Sequence, residues 1–220
     1  MIPNVQRKES PAVIESQVAQ TDRRTVRERL LTSAARMFAR KGYAATTVRE
    51  IVSEAGVTKP VLYYYFRNKA GLYAEILHTA SVRYSLLLDG ARQKEGRAVN
   101  RLLDLADQIL AFFMEQIEVA RMAYSLYYGP PQGAPAFDLD AYHQKFQGLV
   151  TELVQIGFRN REFRRGRVED ITWMILGAVN VALETQLSHP ELGFGREGLD
   201  RVLKLFFDGI KGDEGPKGSR

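Results

Sequence analysis

The chain of 220 residues contains no cysteine, one tryptophan and three histidines. Without a thiol there is no disulfide framework, thiolate zinc site, iron–sulfur cluster or cysteine nucleophile. That composition suits a reducing compartment. His78, His143 and His189 have no spacing that suggests a metal site or a catalytic triad, and no P-loop, nucleophile elbow or HExxH motif occurs. No N-terminal apolar stretch resembles a signal peptide. The longest apolar segment, Trp173 to Leu183, is interrupted by Asn180 and falls well short of the roughly 20 residues that a spanning helix needs. Period-two alternation and internal repeats are missing as well. The expectation is a soluble, cytoplasmic, all-α protein that is not an enzyme, with no catalytic residue, metal, cofactor or membrane partner.

Charge is present in excess of one sign, but only locally. Residues 1–80 hold 13 Lys/Arg against 7 Asp/Glu, whereas residues 81–220 hold 18 against 19. The segment 22–72 is the centre of the asymmetry, with 11 basic residues against 4 acidic ones. Such a distribution suits a polyanion-binding module joined to a neutral body, because phosphate contacts supply most non-specific nucleic-acid affinity. A solvated basic face is the alternative.

Proline, glycine and cap residues divide the chain. Residues 1–21 and 212–220 read as flexible tails, with Arg7 and Lys8 as a possible basic arm. A first helix is expected from about Thr25 to Arg40, stopped by Gly42. Thr47 and Glu50 form a capping box ahead of Val48, Ile51, Val52 and Ala55. Gly56 ends that short helix, and Thr58 is placed to cap another through Phe66. Asn68 can cap a long fourth helix. Further helices are expected near 98–118, 119–128, 138–160, 168–188 and 197–211. The resulting domains are 22–72, a helix-turn-helix unit centred on 46–66, and 73–211, a helical body.

The third helix carries the functional argument. Leu62 and Phe66 fall on one side at 100° per residue. The other side presents Pro60 and Tyr64, flanked by Val61, with Tyr63 and Tyr65 on the shoulders. Lys59, Arg67 and Lys69 lie close by. Tyrosine hydroxyls can donate to phosphates, short apolar groups can meet thymine methyls, and cations neutralise backbone charge. The competing reading, that all four aromatics are core, asks a seven-residue helix to bury four consecutive aromatics on one side.

Residues 24–72 resemble the DNA-binding domain of the TetR (tetracycline-repressor) family of bacterial transcriptional regulators. The features that carry the resemblance are Phe38 then Gly42-Tyr43, Thr46-Thr47 then Ile51, Ala55-Gly56-Val57, and Leu62-Tyr63-Tyr64-Tyr65-Phe66 then Lys69. It implies that Tyr43 and Thr47 contact the phosphate backbone, that Thr58, Lys59, Pro60 and Val61 lie at the groove, and that Tyr63, Tyr64 and Lys69 reach backbone or base edges. Pro60 stands where glycine is frequent and Tyr65 where histidine is, and Pro60 has no backbone N–H to donate at that position.

The body matches no motif. The family resemblance implies a helical domain for ligand binding and dimerisation, and the richness in Met and aromatics agrees with an adaptable cavity. Phe112, Phe113, Met122, Tyr124, Tyr127, Tyr128, His143, Phe146, Trp173 and Met174 are its candidate lining, with plain core as the alternative for each. Two apolar helix faces, Ile171, Ile175, Ala178 and Ala182 on one and Leu199, Val202, Leu203, Phe206, Phe207 and Ile210 on the other, suggest a four-helix bundle shared by two subunits. Gly193, Gly195 and Gly198 match a dinucleotide fingerprint by letter only, since no strand precedes them. The Arg159–Arg167 cluster reads as a solvated junction or an anion site. Together these readings predict a nucleoid-associated homodimeric repressor that binds double-stranded DNA at a pseudo-palindromic operator and releases it on binding a small lipophilic or amphipathic effector. An effector-free DNA-occluding protein and a helical enzyme using the cavity are the rival readings.

Overall fold

Caps and breaks written into the sequence cut the chain into nine α-helices and one short 3-10 helix among the described residues of the computed structural model, which are 11–210 except 165 and 193, with side chains from 24 onward. The α-helices are α1 (Pro11–Ala45), α2 (Val48–Ala55), α3 (Lys59–Phe66), α4 (Lys69–Gln93), α5 (Ala98–Glu115), α6 (Ile117–Tyr128), α7 (Leu139–Arg159), α8 (Val168–Ser188) and α9 (Gly195–Ile210). The all-α expectation holds, as no extended strand occurs among the described residues. Helix α1 begins with Pro11, so residues 11–21, expected as tail, are helical. Proline suits a first helical turn, where its missing N–H has no intrahelical partner to lose, and the Ala, Glu and Gln that follow are good helix formers. Arg7, Lys8 and the expected tail 212–220 lie outside the described residues.

The chain divides into two units, Met1–Ile76 with Gln132–Pro135, and Leu77–Pro131 with Ala136–Arg220. The boundary falls within α4, slightly beyond the expected residue 72. Leu72, Tyr73 and Ile76 of α4 are buried, and therefore belong with the first unit rather than opening the second. Leu30, Ala34 and Phe38 of α1, Ile51 and Ala55 of α2, and Leu62 and Phe66 of α3 are buried in the same unit. Each large aliphatic side chain so buried contributes about 1.5–3 kcal/mol. Gly42 breaks α1 with φ 79° and ψ 169°, backbone angles that side chains rarely tolerate. A Cβ there would also lie 2.1 Å from Gln132 Oε1, the atom that accepts the Tyr43 N–H at 2.8 Å.

Helix α5 is central to the second unit and packs on α6, α7, α8 and α9. Leu102, Leu105, Ala106, Ile109 and Leu110 are almost completely buried. Its amino end has no cap from its own sequence, because Arg97 makes no side-chain bond there. The buried Glu162 carboxylate replaces it, accepting the Ala98 N–H at 2.9 Å and the Val99 N–H at 3.2 Å. An anion at this position also meets the positive end of the helix dipole. Close packing follows nearby: a Cβ on Gly157 would stand 2.2 Å from the Phe163 ring.

Candidate nucleic-acid interface and apolar cavity

Helix α2 has eight residues, too few to persist without help at its ends. Thr47 supplies that help through the expected capping box: its hydroxyl accepts the Glu50 N–H at 3.3 Å, and Glu50 Oε2 accepts the Thr47 N–H at 3.0 Å. Lys41 pairs with the same carboxylate. The Lys41 ammonium first, and then the Thr47 N–H and hydroxyl, hold the Glu50 carboxyl at about 2, below its ordinary range. A lowered folded-state value makes this contribution complete above the ordinary carboxylate pKa and removes it as the pH falls toward 2.

Gly56 then turns the chain in the left-handed region, φ 63° and ψ 40°, and Val57 N–H closes onto Val52 carbonyl oxygen at 2.9 Å. Thr58 occupies the N-cap position of α3 but makes no side-chain cap bond. The expected cap is missing for a local reason. A cap hydroxyl needs the N–H of the second or third helical residue. Pro60 has none, and the Val61 N–H is already bonded to the Thr58 carbonyl at 3.1 Å. Thr58, Lys59 and Pro60 are therefore exposed and free of cap duties.

Only Leu62 and Phe66 of α3 are buried. Tyr64 is 73% exposed and Tyr63 46% exposed, while Val61 and Tyr65 are half-buried. The Tyr65 ring meets Tyr64 edge-on at 5.0 Å. Arg49, Lys59 and Arg67 are exposed and have no ion pair among the described residues. Other cations of this unit are partly neutralised, as in Arg36–Glu54 at 3.1 Å and the pair Arg27–Glu75.

Three of the expected DNA contacts also do structural work. The Thr47 hydroxyl is engaged with Glu50. Tyr43 is half-buried, its ring 5.7 Å from Phe38 and 5.0 Å from Tyr73, and burial raises its phenol pKa. Lys69 turns inward: its Nζ donates to the carbonyls of Tyr43 and Thr46, both at 2.9 Å, and stands 4.2 Å from the Tyr43 ring centre. Its ammonium thus ties α4 to the turn between α1 and α2.

The second unit contains a cavity of about 190 Å³. Of the expected lining, Phe112, Phe113, Tyr124, Tyr127, Tyr128, His143 and Phe146 border it. Met122 is buried without lining it, Met174 is half-buried away from it, and Trp173 is 59% exposed. Tyr84, Tyr142, Phe137 and Gln116 line it as well. No Lys, Arg, Asp or Glu is among the lining residues. Glu115 and Glu118, which could have served a cationic ligand, pair instead with Arg83 at 3.9 Å and Arg121 at 3.5 Å. Burial raises the Tyr84 phenol strongly, and burial, with the neighbouring Tyr128 and Glu184, raises Tyr124 to about 12. The lining phenols Tyr84 and Tyr124 are therefore neutral at ordinary pH.

The expected partner-facing residues divide. Ile171, Ile175, Ala182, Leu199, Leu203 and Phe207 are buried in the core of the chain itself, so they correct the assignment and cannot form a second surface. Ala178, Phe206 and Ile210 are half-buried, and Val202 is exposed. The uncovered apolar side of these helices consists of Trp173 and Val181 on α8 with Val202 and Leu205 on α9, Leu205 being 77% exposed. Arg159, Arg161, Arg164 and Arg167 are exposed, whereas Arg165 lies outside the described residues.

Two short helices joined by a left-handed glycine, with the second presenting an aromatic and basic face, define a helix-turn-helix unit of the DNA-binding type. Residues 30–76 match the family model for bacterial regulatory proteins of the tetR family. Residues 30–76 are thus similar to the DNA-binding domain of that family. It is 30% identical over 105 residues to the uncharacterized HTH-type transcriptional regulator YdgC of Bacillus subtilis, an alignment covering 46% of this chain and 53% of YdgC. The chain thus spans about half the length of that relative. It is 28% identical over 158 residues to the HTH-type transcriptional repressor KstR2 of Mycolicibacterium smegmatis, covering 68% of this chain and 73% of KstR2. The solved TetR family protein CprB from S. coelicolor A3(2) shares the fold at TM-score 0.66 and 21% identity, over 86% of this chain and 90% of CprB.

Because Lys69 closes two backbone carbonyls, Lys69→Met should lower the unfolding free energy by about 1.5–3 kcal/mol in a urea titration. An unchanged midpoint would show that the clamp contributes nothing.

Proposed function

We propose that the chain is a sequence-specific, DNA-binding transcriptional regulator, a repressor that acts as a homodimer and is released from its operator by a small lipophilic effector. The observation that carries this reading is the exposed side of α3: Tyr63, Tyr64, Pro60 and Lys59 project from a helix whose other side is held by Leu62 and Phe66. Lone surface aromatics need no explanation, but contiguous tyrosines beside an unpaired lysine suit a groove with phosphates at its edges. The description of KstR2 as a repressor supports the direction of control. The cavity in the second unit favours an effector-responsive protein over an effector-free one. Its ligand need only bind one conformation of the chain better than another to shift DNA affinity. No helix among the described residues is long and apolar enough to cross a membrane, which agrees with action at the chromosome.

Dimerisation is assigned to the uncovered stripe Trp173, Val181, Val202 and Leu205. Residues 173 and 181 are two helical turns apart, and 202 and 205 are one turn apart, so each pair occupies one side of its helix. Two such faces related by a twofold axis bury each other, and a twofold dimer suits an inverted-repeat operator.

Two measurements test the proposal. Tyr64→Ala and Lys59→Ala should each weaken operator binding in a gel-shift titration by about tenfold, the cost of about 1–2 kcal/mol expected for one groove contact, while thermal unfolding stays unchanged. Unaltered affinity in both variants would remove α3 from the interface. Leu205→Glu should convert dimer to monomer in sedimentation equilibrium, because it places a charge in an apolar contact. A dimer of unchanged affinity would refute the stripe.

A further inference from the structure

Helix α3 passes into α4 through only two residues, and the first of them has an unfavourable backbone. Arg67 has φ 62° and ψ −43°, a positive φ that is uncommon for any residue with a Cβ. The Asn68 N–H closes onto the Phe66 carbonyl at 2.7 Å, so Arg67 is the middle residue of a γ-turn in its strained, positive-φ form. The surroundings hold it there. The Phe66 side chain is buried. Its carbonyl lies so close to Gly71 that a Cβ on that residue would stand 2.2 Å from the oxygen. Asn68 Oδ1 in turn accepts the Gly71 N–H at 2.7 Å.

Strain of this kind persists only where neighbouring contacts over-determine it, and glycine would relieve it without steric conflict. The chain has an arginine instead. Packing does not account for that choice, because Arg67 is exposed and its guanidinium makes no hydrogen bond or ion pair among the described residues. Other cations of the same unit are engaged: Arg36 and Lys41 pair with Glu54 and Glu50, and the Lys69 ammonium holds two carbonyls.

Position supplies the reason. The Arg67 N–H still bonds the Tyr63 carbonyl at 3.0 Å, so its Cα continues the row Lys59, Tyr63, Arg67 at i, i+4 and i+8. All three residues are exposed. Eight residues of helix span about 12 Å, and the major groove is about 12 Å wide. A helix seated there with Tyr63 and Tyr64 toward the base edges has one cation at each end of its exposed row, within reach of the phosphates that border the groove. A helical residue at position 67 would lean back over Tyr63. Changing φ from the helical value to 62° turns the side chain by about 125° around the N–Cα bond and releases it from that lean.

We propose that Arg67 is a DNA-phosphate contact, presented at the end of α3 by a strained backbone that lowers the stability of the chain. This rests on the DNA-binding reading above and adds a residue to it. The contact contributes affinity rather than discrimination, since phosphates carry no sequence information directly.

The test uses the full chain, a duplex that it selects from a randomised pool, and a scrambled duplex as reference. Arg67→Gly and Arg67→Ala should each weaken binding to both duplexes by about tenfold or more, with the ratio between the two unchanged. Each should also reduce the slope of log affinity against log salt by about two per dimer, one for each protomer, whereas Arg67→Lys should retain the slope. Thermal unfolding should separate the first two variants: the glycine variant should melt about 2–4 °C above the alanine variant, which keeps the Cβ and the strain. An unaltered salt slope, a lost preference for the selected duplex, or a glycine variant no more stable than the alanine variant would overturn the inference and leave the regulator reading standing. Failure of the unsubstituted chain to enrich any duplex would instead overturn that reading.

Discussion

An eight-residue helix held by two buried side chains cannot maintain itself in water, and the DNA-binding unit is organised around that fact. Leu62 and Phe66 fit α3 into a core prepared by α1, α2 and the start of α4. The Thr47–Glu50 box fixes where α2 begins, Gly56 fixes how the chain leaves it, and the Lys69 ammonium ties the preceding turn to α4. With its position set by neighbours, α3 is relieved of contributing more side chains to the core. Tyr63, Tyr64, Pro60 and Lys59 are the surface left over, and that surplus is what a DNA groove can read.

The second unit solves a different problem. Helix α5 is buried on most of its circumference, and its amino end is satisfied by Glu162, a carboxylate distant in sequence. Beside that core lies a cavity whose wall is mainly aromatic and aliphatic.

Much of the fold was legible in the sequence because helix ends are local chemistry. Thr47, Gly56 and Asn68 each mark a boundary that the structure places within a residue or two, Gly42 breaks α1 shortly before its end, and Asn68 accepts the Gly71 N–H at 2.7 Å as a cap should. What depends on which side of a helix faces inward was not legible. Helices α8 and α9 are apolar around much of their surface, so periodicity could not choose between Ile171 with Ile175 and Trp173 with Val181; only packing on α5 and α7 decides. Lys69 resisted for another reason, as a long flexible stem lets its ammonium serve phosphate or carbonyl equally well from the same position. Thr58 failed as a cap because Pro60 removes the N–H it would have bound, a clue present in the sequence. Gln116 gave no signal at all, being one polar residue at a break between apolar segments.

The central claim is that a dimer of this chain reads DNA through paired α3 helices. Its most direct test is selection from a randomised duplex pool with the full chain, followed by sequencing of the bound fraction. The account predicts enrichment of an inverted repeat whose half-site centres are about one helical turn, or a multiple of it, apart. Enrichment of no sequence, or of a single unrepeated half-site, would contradict it.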